Sequence, residues 1–204
     1  GALAISIGEA QIYGGVMRGS FGVTRDGDDA KVKAALQFTD VDLEACFGDL
    51  ANLRRLSGRG NIAVNLEADG SSAYGLAQSL DGRASLTAQN GALSGFNVEQ
   101  FLRRLERRPL SGSGDLRSGR TPYDKLNVVV RLNDGIATTE EMKLEGPTVR
   151  LSLAGASSIP AREFDLKGVA GLVPPAGASS SFELPFVIQG PWDEPLILPD
   201  SESL

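Results

Sequence analysis

Three aspartates lie close together early in the chain and offer oxygen atoms that could hold a cation. Asp26, Asp28 and Asp29 flank Gly27, and carboxylate oxygens are ligands that Ca²⁺ prefers. Their spacing is not that of an EF-hand loop, whereas Asp-Gly between two alternating segments is typical of a hairpin turn. We therefore interpret this acidic cluster as a turn and expect no metal site.

Four arginines form a second cluster, on a helix that the sequence predicts over 97–108. Asn97 suits the N-cap, with Gln100 placed as in a capping box. The apolar stripe of this helix consists of Val98, Phe101, Leu102 and Leu105. Its opposite face carries Arg103, Arg104, Arg107 and Arg108. A solvated face is the simpler interpretation. The alternative is a patch for anionic lipid headgroups, because guanidinium groups bind phosphate in bidentate geometry.

The residue types that enzymes use most are scarce. The chain has no histidine and one cysteine, Cys46, which excludes a Ser-His-Asp triad, a histidine-ligated metal and an internal disulfide. Cys46 lies on the apolar stripe of a short predicted helix, so we expect a small buried hydrophobe. Nucleotide-binding loops and a nucleophile elbow are missing as well. We expect no enzyme, no catalytic residue and no cofactor; a Ser-Lys pair, which leaves no local signature, is the remaining enzymatic alternative.

The bulk composition limits the possible partners. The net charge of −6 and the pI near 4.8 argue against nucleic acid as a partner, because binding it requires a basic surface. No apolar run approaches the roughly 20 residues that a membrane span requires. We therefore expect no membrane span within these residues. The alternation described next is already under way at Leu3, so we expect a fragment of a longer protein.

Strands with one apolar side dominate the sequence. Residues Ile62, Val64, Leu66 and Ala68, for example, alternate with polar residues, and successive side chains of a strand point to opposite faces of its sheet. At least nine segments follow this pattern, and we predict strands over 2–13, 16–24, 30–38, 59–69, 83–89, 123–132, 136–144, 148–154, 162–172 and 182–189. Each strand should contribute one apolar and one polar side to the sheet.

Short helices and loops interrupt the strands. Helical spacing predicts helices near 42–56, 72–80 and 97–108. Asp40 or Asp42 can cap the first helix, and Ser71 or Ser72 the second. Residues 109–120 and 173–181 are rich in Ser, Gly, Arg or Pro, so we predict flexible loops there. Asp81-Gly82 and Asn90-Gly91 predict turns on either side of strand 83–89, and the segment after Trp192 is predicted to be a proline-rich tail.

The predicted fold is mainly β (α+β) and forms a single domain, residues 1–204. It consists of one large curved, mostly antiparallel sheet, which forms a groove or half-barrel with about three short helices at its edge. These helices are too few to cover so wide an apolar face. Acyl chains, another copy of the protein, or the rest of the parent chain are candidates to cover it. The candidate lining residues are Ile62, Val64, Leu66, Leu126, Val128, Val130, Leu132, Phe182, Leu184 and Phe186.

Turn and helix-start motifs resemble those of one protein family. Residues 81–82 (DG) and 90–98 (NGALSGFNV) precede the amphipathic helix, and residues 121–126 (TPYDKL) precede a strand. Residues 188–192 (IQGPW) close the last predicted strand. Together these motifs resemble the C-terminal domain of AsmA-like bacterial envelope proteins, which are related to TamB. The resemblance covers most of the chain, with Asn97 where the family would have Asp.

The resemblance implies a location and a function. The domain would lie in the periplasm of a Gram-negative bacterium, within a protein anchored in the inner membrane. It would act in outer-membrane assembly and phospholipid transport as a non-catalytic module that shields acyl chains in a hydrophobic β groove. The alternative is a structural module whose sheet edges pair with neighbouring segments, with envelope proteins or in a homodimer, without binding lipid.

Overall fold

The computed structural model describes residues 1–107, 118–178 and 181–202. These residues form eleven strands and three helices. The strands are β1 (Ala2–Ile12), β2 (Gly15–Asp26), β3 (Asp29–Asp42), β4 (Leu56–Gly70), β5 (Asp81–Ser94), β6 (Arg120–Asn133), β7 (Ile136–Glu145), β8 (Val149–Ser158), β9 (Glu163–Leu172), β10 (Glu183–Pro191) and β11 (Leu196–Pro199). The helices are α1 (Leu43–Ala51), α2 (Ala73–Gln78) and α3 (Val98–Arg107).

The strands build one sheet in chain order, and each pairs antiparallel with the next. Within the described residues β1 and β11 remain the two edges, so the sheet is open. The predicted fold class, a large antiparallel sheet with three short helices, is confirmed. None of the described helices is long and apolar enough to cross a membrane.

The register places the apolar residues of neighbouring strands side by side. Phe38 lies opposite Ile62, Ile62 opposite Leu86, Leu86 opposite Val128, and Val128 opposite Met142. Residues directly opposite in adjacent strands point to the same face. We call the face that carries these five residues the inner face, and the other the outer face.

The outer face is held by polar contacts between strands. The carboxylate of Glu140 forms ion pairs with Arg83, at an N–O distance of 3.3 Å, and with Arg131, at 2.7 Å. These three residues span β5, β6 and β7, and Glu140 lies where the register between β6 and β7 shifts. These two ion pairs therefore connect three strands across a bulge on the outer face of the sheet.

Each helix begins at a side-chain cap. The carboxylate of Asp42 accepts from the Ala45 amide at 3.0 Å, and the hydroxyl of Ser72 accepts from the Gly75 amide at 3.0 Å. The amide oxygen of Asn97 accepts from the Gln100 amide, also at 3.0 Å. These bonds satisfy N–H groups that have no partner inside a helix. Helix α1 is shorter than predicted because Asn52 adopts a left-handed conformation (φ 52°) and ends it.

Helices α1 and α3 lie against the inner face. Helix α1 packs on β3 and β4, while α3 packs on β6 and β9. Leu43 and Cys46 from α1 and Leu102 from α3 have no exposed surface and belong to the same core as the inner-face strands. The buried position expected for Cys46 is confirmed. The core therefore lies between these helices and one side of the sheet.

Two sequence expectations about turns are wrong. Asn90 was expected in a turn, but β5 continues through it to Ser94. Asn90 has a positive φ of 53°, and between Gln89 and Ala92 strand β5 carries one residue more than β4 opposite it. It therefore forms a bulge, which inserts one residue without ending the strand. Asp81-Gly82 likewise lies inside β5, at its beginning.

The structure describes only parts of the two predicted loops, 109–120 and 173–181. Residues 173–178 form a connection without helix or strand, as predicted. Residues 108–117 and 179–180 lie outside the described residues, so the predicted loops there, and Arg108, receive no structural account. Arg120 belongs to β6, not to the preceding loop.

Candidate functional site

All ten predicted lining residues lie on the inner face. The pairs Ile62–Leu86 and Leu86–Val128 place the β4 and β6 candidates in one row. A second row continues from Leu126 to β10 through residues of β7, β8 and β9: Leu126, Leu144, Leu151, Ala170, Leu184. Phe182 precedes β10 and packs against the same core. The sheet therefore brings together residues that are more than 100 positions apart in the chain.

The ten residues divide into two groups by exposure. Ile62, Leu126, Leu132 and Leu184 are buried and serve as core. The other six keep part of their surface accessible: Val64, Leu66, Val128, Val130, Phe182 and Phe186. We call the accessible part of the inner face, together with the helix surface that borders it, the apolar groove. The second group presents the larger accessible surface to a molecule in this groove, whereas Leu184 of the first group lines it only inside the cavity described next.

Helix α3 encloses one part of the groove. A cavity of about 200 Å³ lies between this helix and strands β7 to β11. Every side chain that lines it is apolar, including Phe101 and Leu102 from the helix and Phe186 and Ile188 from β10. A dry apolar cavity of comparable size, about 150 Å³, holds a benzene molecule in an engineered protein. The space therefore suits a short piece of hydrocarbon.

The cavity has a wall that the sequence did not predict. Ile197, Leu198 and Pro199 line it from β11, a strand in a segment that we expected to be a proline-rich tail. The three residues between Pro195 and Pro199 are too few to show alternation, so the segment carries no clear strand signal. The apolar run Leu196-Ile197-Leu198 is the one feature that could have indicated it.

The start of α3 is fixed by a buried hydroxyl. The Oγ1 atom of Thr121 donates to the carbonyl of Phe96 at 2.7 Å and accepts from the amide of Val98 at 3.1 Å. Thr121 is only 1% exposed. Since Thr121 lies in β6, this pair of bonds connects the first turn of the helix to the sheet.

An ion pair and a hydroxyl contact hold the same helix turn. Arg103 donates to Glu99 at 2.8 Å, one helical turn apart. This hydrogen bond, followed by a smaller one from Thr148, holds the pKa of Glu99 below its usual range despite partial burial. Thr148 precedes β8, so Glu99 also connects α3 to the far side of the groove.

The predicted arginine cluster is only partly assembled. Arg103 is engaged with Glu99, whereas Arg104 and Arg107 lie exposed on the outer surface of α3. Arg55, which sequence reasoning missed, lies with its guanidinium carbon 5.7 Å from the centre of the Phe96 ring. The Phe96 ring lines the cavity, so Arg55 places a positive charge at the border of the groove. Arg55 and Phe96 are far apart in sequence, and no local pattern signals their contact.

Two groups with raised pKa values have structural explanations. Burial raises the pKa of Tyr123 to about 12, and its hydroxyl donates to the Ser57 carbonyl at 2.5 Å. Burial also raises the pKa of the Cys46 thiol, with smaller contributions from Asp49 and Asp42. A raised pKa disfavours the thiolate, which is the nucleophilic form. Both side chains therefore pack the core in their neutral forms.

Known proteins were compared with this chain at three levels. Neither the curated proteins nor the solved structures gave a match. Among protein families, the AsmA family matches residues 1–142, from the first strand into β7. The matched region holds α1, α2 and α3 and the groove residues of β4 and β6, and it spans more than half of the chain. The chain therefore belongs to the AsmA family.

Proposed function

We propose that this domain shields the acyl chains of phospholipids in its apolar groove while they move through a bacterial envelope. In this proposal the domain lies in the periplasm of a Gram-negative cell, within a protein anchored in the inner membrane. It supports outer-membrane assembly by lipid transport. Membership of the AsmA family supports this setting. Shielding breaks and forms no covalent bond, so the role is non-catalytic and assigns no cofactor or metal.

The observation that carries the proposal is the partial exposure of a continuous apolar face. Six groove residues, five on β4, β6 and β10 and Phe182 just before β10, are accessible in one face. At the β1 side, Leu3 is 56% and Ile5 46% exposed. Contiguous apolar surface of this kind is rare on proteins without a ligand or partner. Acyl chains gain about 0.8 kcal/mol for each methylene group that leaves water, so contact with this face is favourable.

The cavity under α3 specifies how one chain end would be held. Its volume of about 200 Å³ corresponds to roughly eight carbon atoms, by proportion with the benzene-sized cavity of about 150 Å³. The cavity therefore accommodates the first carbons of one acyl chain, next to the headgroup. The remaining length would lie along the accessible groove, against residues such as Val130 and Leu66.

The arginines of α3 and Arg55 provide a contact for the headgroup. Arg104 and Arg107 are exposed on the helix that covers the cavity, and Arg55 lies at its border against Phe96. Guanidinium groups bind phosphate oxygens in bidentate geometry. An amphiphile with the headgroup end of one acyl chain under α3 would thus have cations close to its phosphate.

The shielding proposal is tested by lipid content, with two adjacent valines as a matched pair. Val130 faces the groove and Val129 the outer face, and both are partly exposed residues of β6. We expect Val130→Asp to reduce the phospholipid recovered by organic extraction and native mass spectrometry by about tenfold or more, because a carboxylate against acyl chains is left unpaired. Val129→Asp should retain the lipid load.

Two outcomes would contradict the shielding of acyl chains by this domain. Purified protein that neither carries phospholipid nor acquires it from vesicles, while its circular dichroism shows an intact sheet, would remove the function from this domain. Equal loss of lipid in the two valine variants would show that the groove side of β6 does not hold the lipid.

The headgroup contact is tested by charge reversal. We expect Arg104→Glu with Arg107→Glu to lower the uptake of phosphatidylglycerol relative to phosphatidylethanolamine by about tenfold, since each cation near an anionic lipid surface contributes about 1 kcal/mol. Arg25→Glu with Lys31→Glu changes the net charge equally at exposed positions of β2 and β3, and it should leave the ratio unchanged. A similar fall in both variants would indicate a net-charge effect in place of a contact.

A further inference from the structure

The negative charge of the chain is concentrated where α2 joins the strand ends. We call this surface the acidic rim and define it as residues 69–81, 133–136, 159–165 and 190–196. These four segments contain seven carboxylates and one guanidinium, so their net charge equals the −6 of the whole chain. Six of the seven carboxylates are exposed. A surface with so much charge of one sign attracts a partner of the opposite sign.

Backbone hydrogen bonds hold the segments of the acidic rim together. The Gly135 amide donates to the Leu80 carbonyl at 2.9 Å, and the Ile159 amide donates to the Gly135 carbonyl at 2.9 Å. The Trp192 amide donates to the Arg162 carbonyl at 2.8 Å. The rim is therefore a connected surface that extends from the end of α2 to the segment before β11.

Large apolar side chains lie exposed among these carboxylates. Tyr74 is 60% exposed, Leu196 55% and Ile136 40%. They lie in three different segments of the acidic rim. Apolar surface surrounded by charged groups is typical of sites at which proteins bind one another.

Trp192, the only tryptophan of the chain, is held in place within the rim. Its Nε1 atom donates to the Ser157 hydroxyl at 2.9 Å. The Arg162 guanidinium carbon lies 5.7 Å from its ring centre, and the Phe164 ring centre lies 6.0 Å away. Trp192 nevertheless stays partly exposed. A side chain that is already ordered loses little entropy on binding, and tryptophan and tyrosine often dominate the energy of an interface.

The charge of the rim restricts the chemistry of its partner. Carboxylates repel nucleic acid and anionic lipid surfaces. Among the described residues no group of three acidic or other metal-ligating side chains is placed to hold a metal ion. Separate carboxylates around apolar side chains match a polypeptide in which lysine and arginine surround apolar residues.

We propose that the acidic rim binds a basic segment of another protein, in which cationic side chains surround apolar ones. The apolar residues of this segment contact Tyr74 and Trp192, and its cations pair with Asp134, Glu163 and Asp193. The rim lies at the strand ends, so this partner does not occupy the apolar groove. The interaction therefore requires no lipid and does not rest on the proposed function.

Fluorescence of Trp192 tests the inference on the full chain, because no other tryptophan contributes to the signal. The probe is a synthetic amphipathic peptide of lysine and leucine, which has no aromatic residue of its own. We expect saturable binding that shifts the Trp192 emission and slows amide exchange in 133–136 and 159–165. The same peptide with glutamate in place of each lysine should not bind there. Added salt should weaken the binding, since it screens exposed charges.

A matched pair of triple variants tests the contribution of charge. We expect Asp134→Asn, Glu163→Gln and Asp193→Asn together to weaken binding of the lysine peptide about tenfold, because each exposed ion pair contributes a small amount. The control removes three exposed carboxylates towards the opposite strand ends, by the substitutions Asp124→Asn, Glu145→Gln and Glu183→Gln. It changes the net charge equally and should bind the peptide like the parent chain.

A second pair tests the apolar contact. Tyr74→Ser should weaken binding about fivefold, as expected for an aromatic residue within an interface. Leu50→Ser replaces a residue of similar exposure, 64%, in α1, and it should leave binding unchanged. Circular dichroism checks the fold of each variant, and the two peptides test the inference on the parent chain without any substitution.

Four results would overturn the inference. The first is an unchanged Trp192 emission at high concentrations of the lysine peptide. The second is an equal response to the glutamate peptide, which would indicate binding in the apolar groove. The third is an equal loss of binding in the two triple variants, which would indicate attraction by net charge alone. The fourth is a salt-sensitive dimer of the chain alone in native mass spectrometry that protects the rim, which would make a second copy its occupant.

Discussion

The inner face has a covered region and an open region, although the same strand pattern produces both. Under α1 and α3, Leu144 and Val149 have no exposed surface. At the β1 side, Leu3 and Ile5 expose about half of theirs, at 56% and 46%. The residue types and the alternation are alike in the two regions. Coverage by helices, and not strand character, separates core from groove.

The helices lie where the connections between strands place them. Helix α1 joins β3 to β4, and α3 joins β5 to β6, so both helices start from the same end of neighbouring hairpins. α3 extends from β6 as far as β9. β1 and β2 are joined by a tight turn at Tyr13-Gly14 instead. That pair of strands therefore has no helix of its own to cover its inner face.

This difference in coverage separates the residues that stabilise the fold from those that are available to bind a ligand. A buried leucine loses contacts and leaves a cavity when it is truncated. An exposed leucine loses little, since its surface already contacts water. The domain can therefore keep an accessible apolar surface because its stability rests on the covered region.

The largest effect that we expect from this comparison is a loss of stability when a leucine is replaced by alanine. Leu144→Ala in the covered region should lower the free energy of unfolding by about 2–5 kcal/mol, because the neighbouring side chains cannot collapse into the space. Leu3→Ala in the open region should lower it by less than about 1 kcal/mol. Urea titration followed by circular dichroism measures both. Equal losses would mean that Leu3 is covered in solution, by dimer formation for example.

A smaller effect is expected where α3 is attached to the sheet. Thr121→Val keeps the shape of the side chain but leaves the Val98 amide and the Phe96 carbonyl without their shared hydroxyl. A buried group left without a partner costs about 1–3 kcal/mol. We expect that loss in urea titration, together with faster amide exchange in α3. Thr87→Val, at an exposed position of β5, should change stability by no more than about 0.5 kcal/mol.

The Thr121→Val variant also tests whether the cavity under α3 depends on the attachment of this helix to the sheet. If α3 loosens while the rest of the sheet keeps its exchange protection, the cavity under the helix depends on this attachment. Uniformly faster exchange across all strands would show instead that α3 and the sheet unfold as one unit.

Sequence reasoning predicted the parts of this fold that local pattern determines. The alternation in β4 and β6 correctly placed Ile62, Val64 and Leu126 on one face, because a strand has two sides only. Polar side chains before apolar helical spacing indicated the caps at Asn97 and at Ser71 or Ser72, of which Ser72 is the cap, since a helix start needs acceptors within the same few residues.

Features that depend on distant parts of the chain were not predictable in this way. β11 forms because Phe186 and Ile188 provide a neighbouring strand for Pro199 and Ile197, and four residues contain too little pattern. Asn90 is compatible with a turn or a bulge, and the pairing of β5 with β4 decides for the bulge. The cavity, and Arg55 at its border, depend on where α3 comes to lie. Exposure of the groove depends on the same placement.

The smallest effect that we expect is a loss of stability at low pH in the covered region and not in the open region. Since the pKa of Glu99 is lowered in the folded state by Arg103 and Thr148, its contribution to stability is present above the unfolded value of about 4.3. That contribution is lost as the pH falls through the lower, folded value.

For an ion pair one helical turn apart we expect about 0.3–0.5 kcal/mol. Glu99→Gln should therefore lose about this much stability at pH 7 and little at pH 2. Adding Arg103→Gln to Glu99→Gln should have no further effect of this kind, and a full additive loss would show that the two side chains act independently. Because the contacts of Glu99 are with Arg103 in α3 and with Thr148 before β8, the acid-dependent part should appear as faster exchange in this helix and leave the amides of β1 and β2 unchanged.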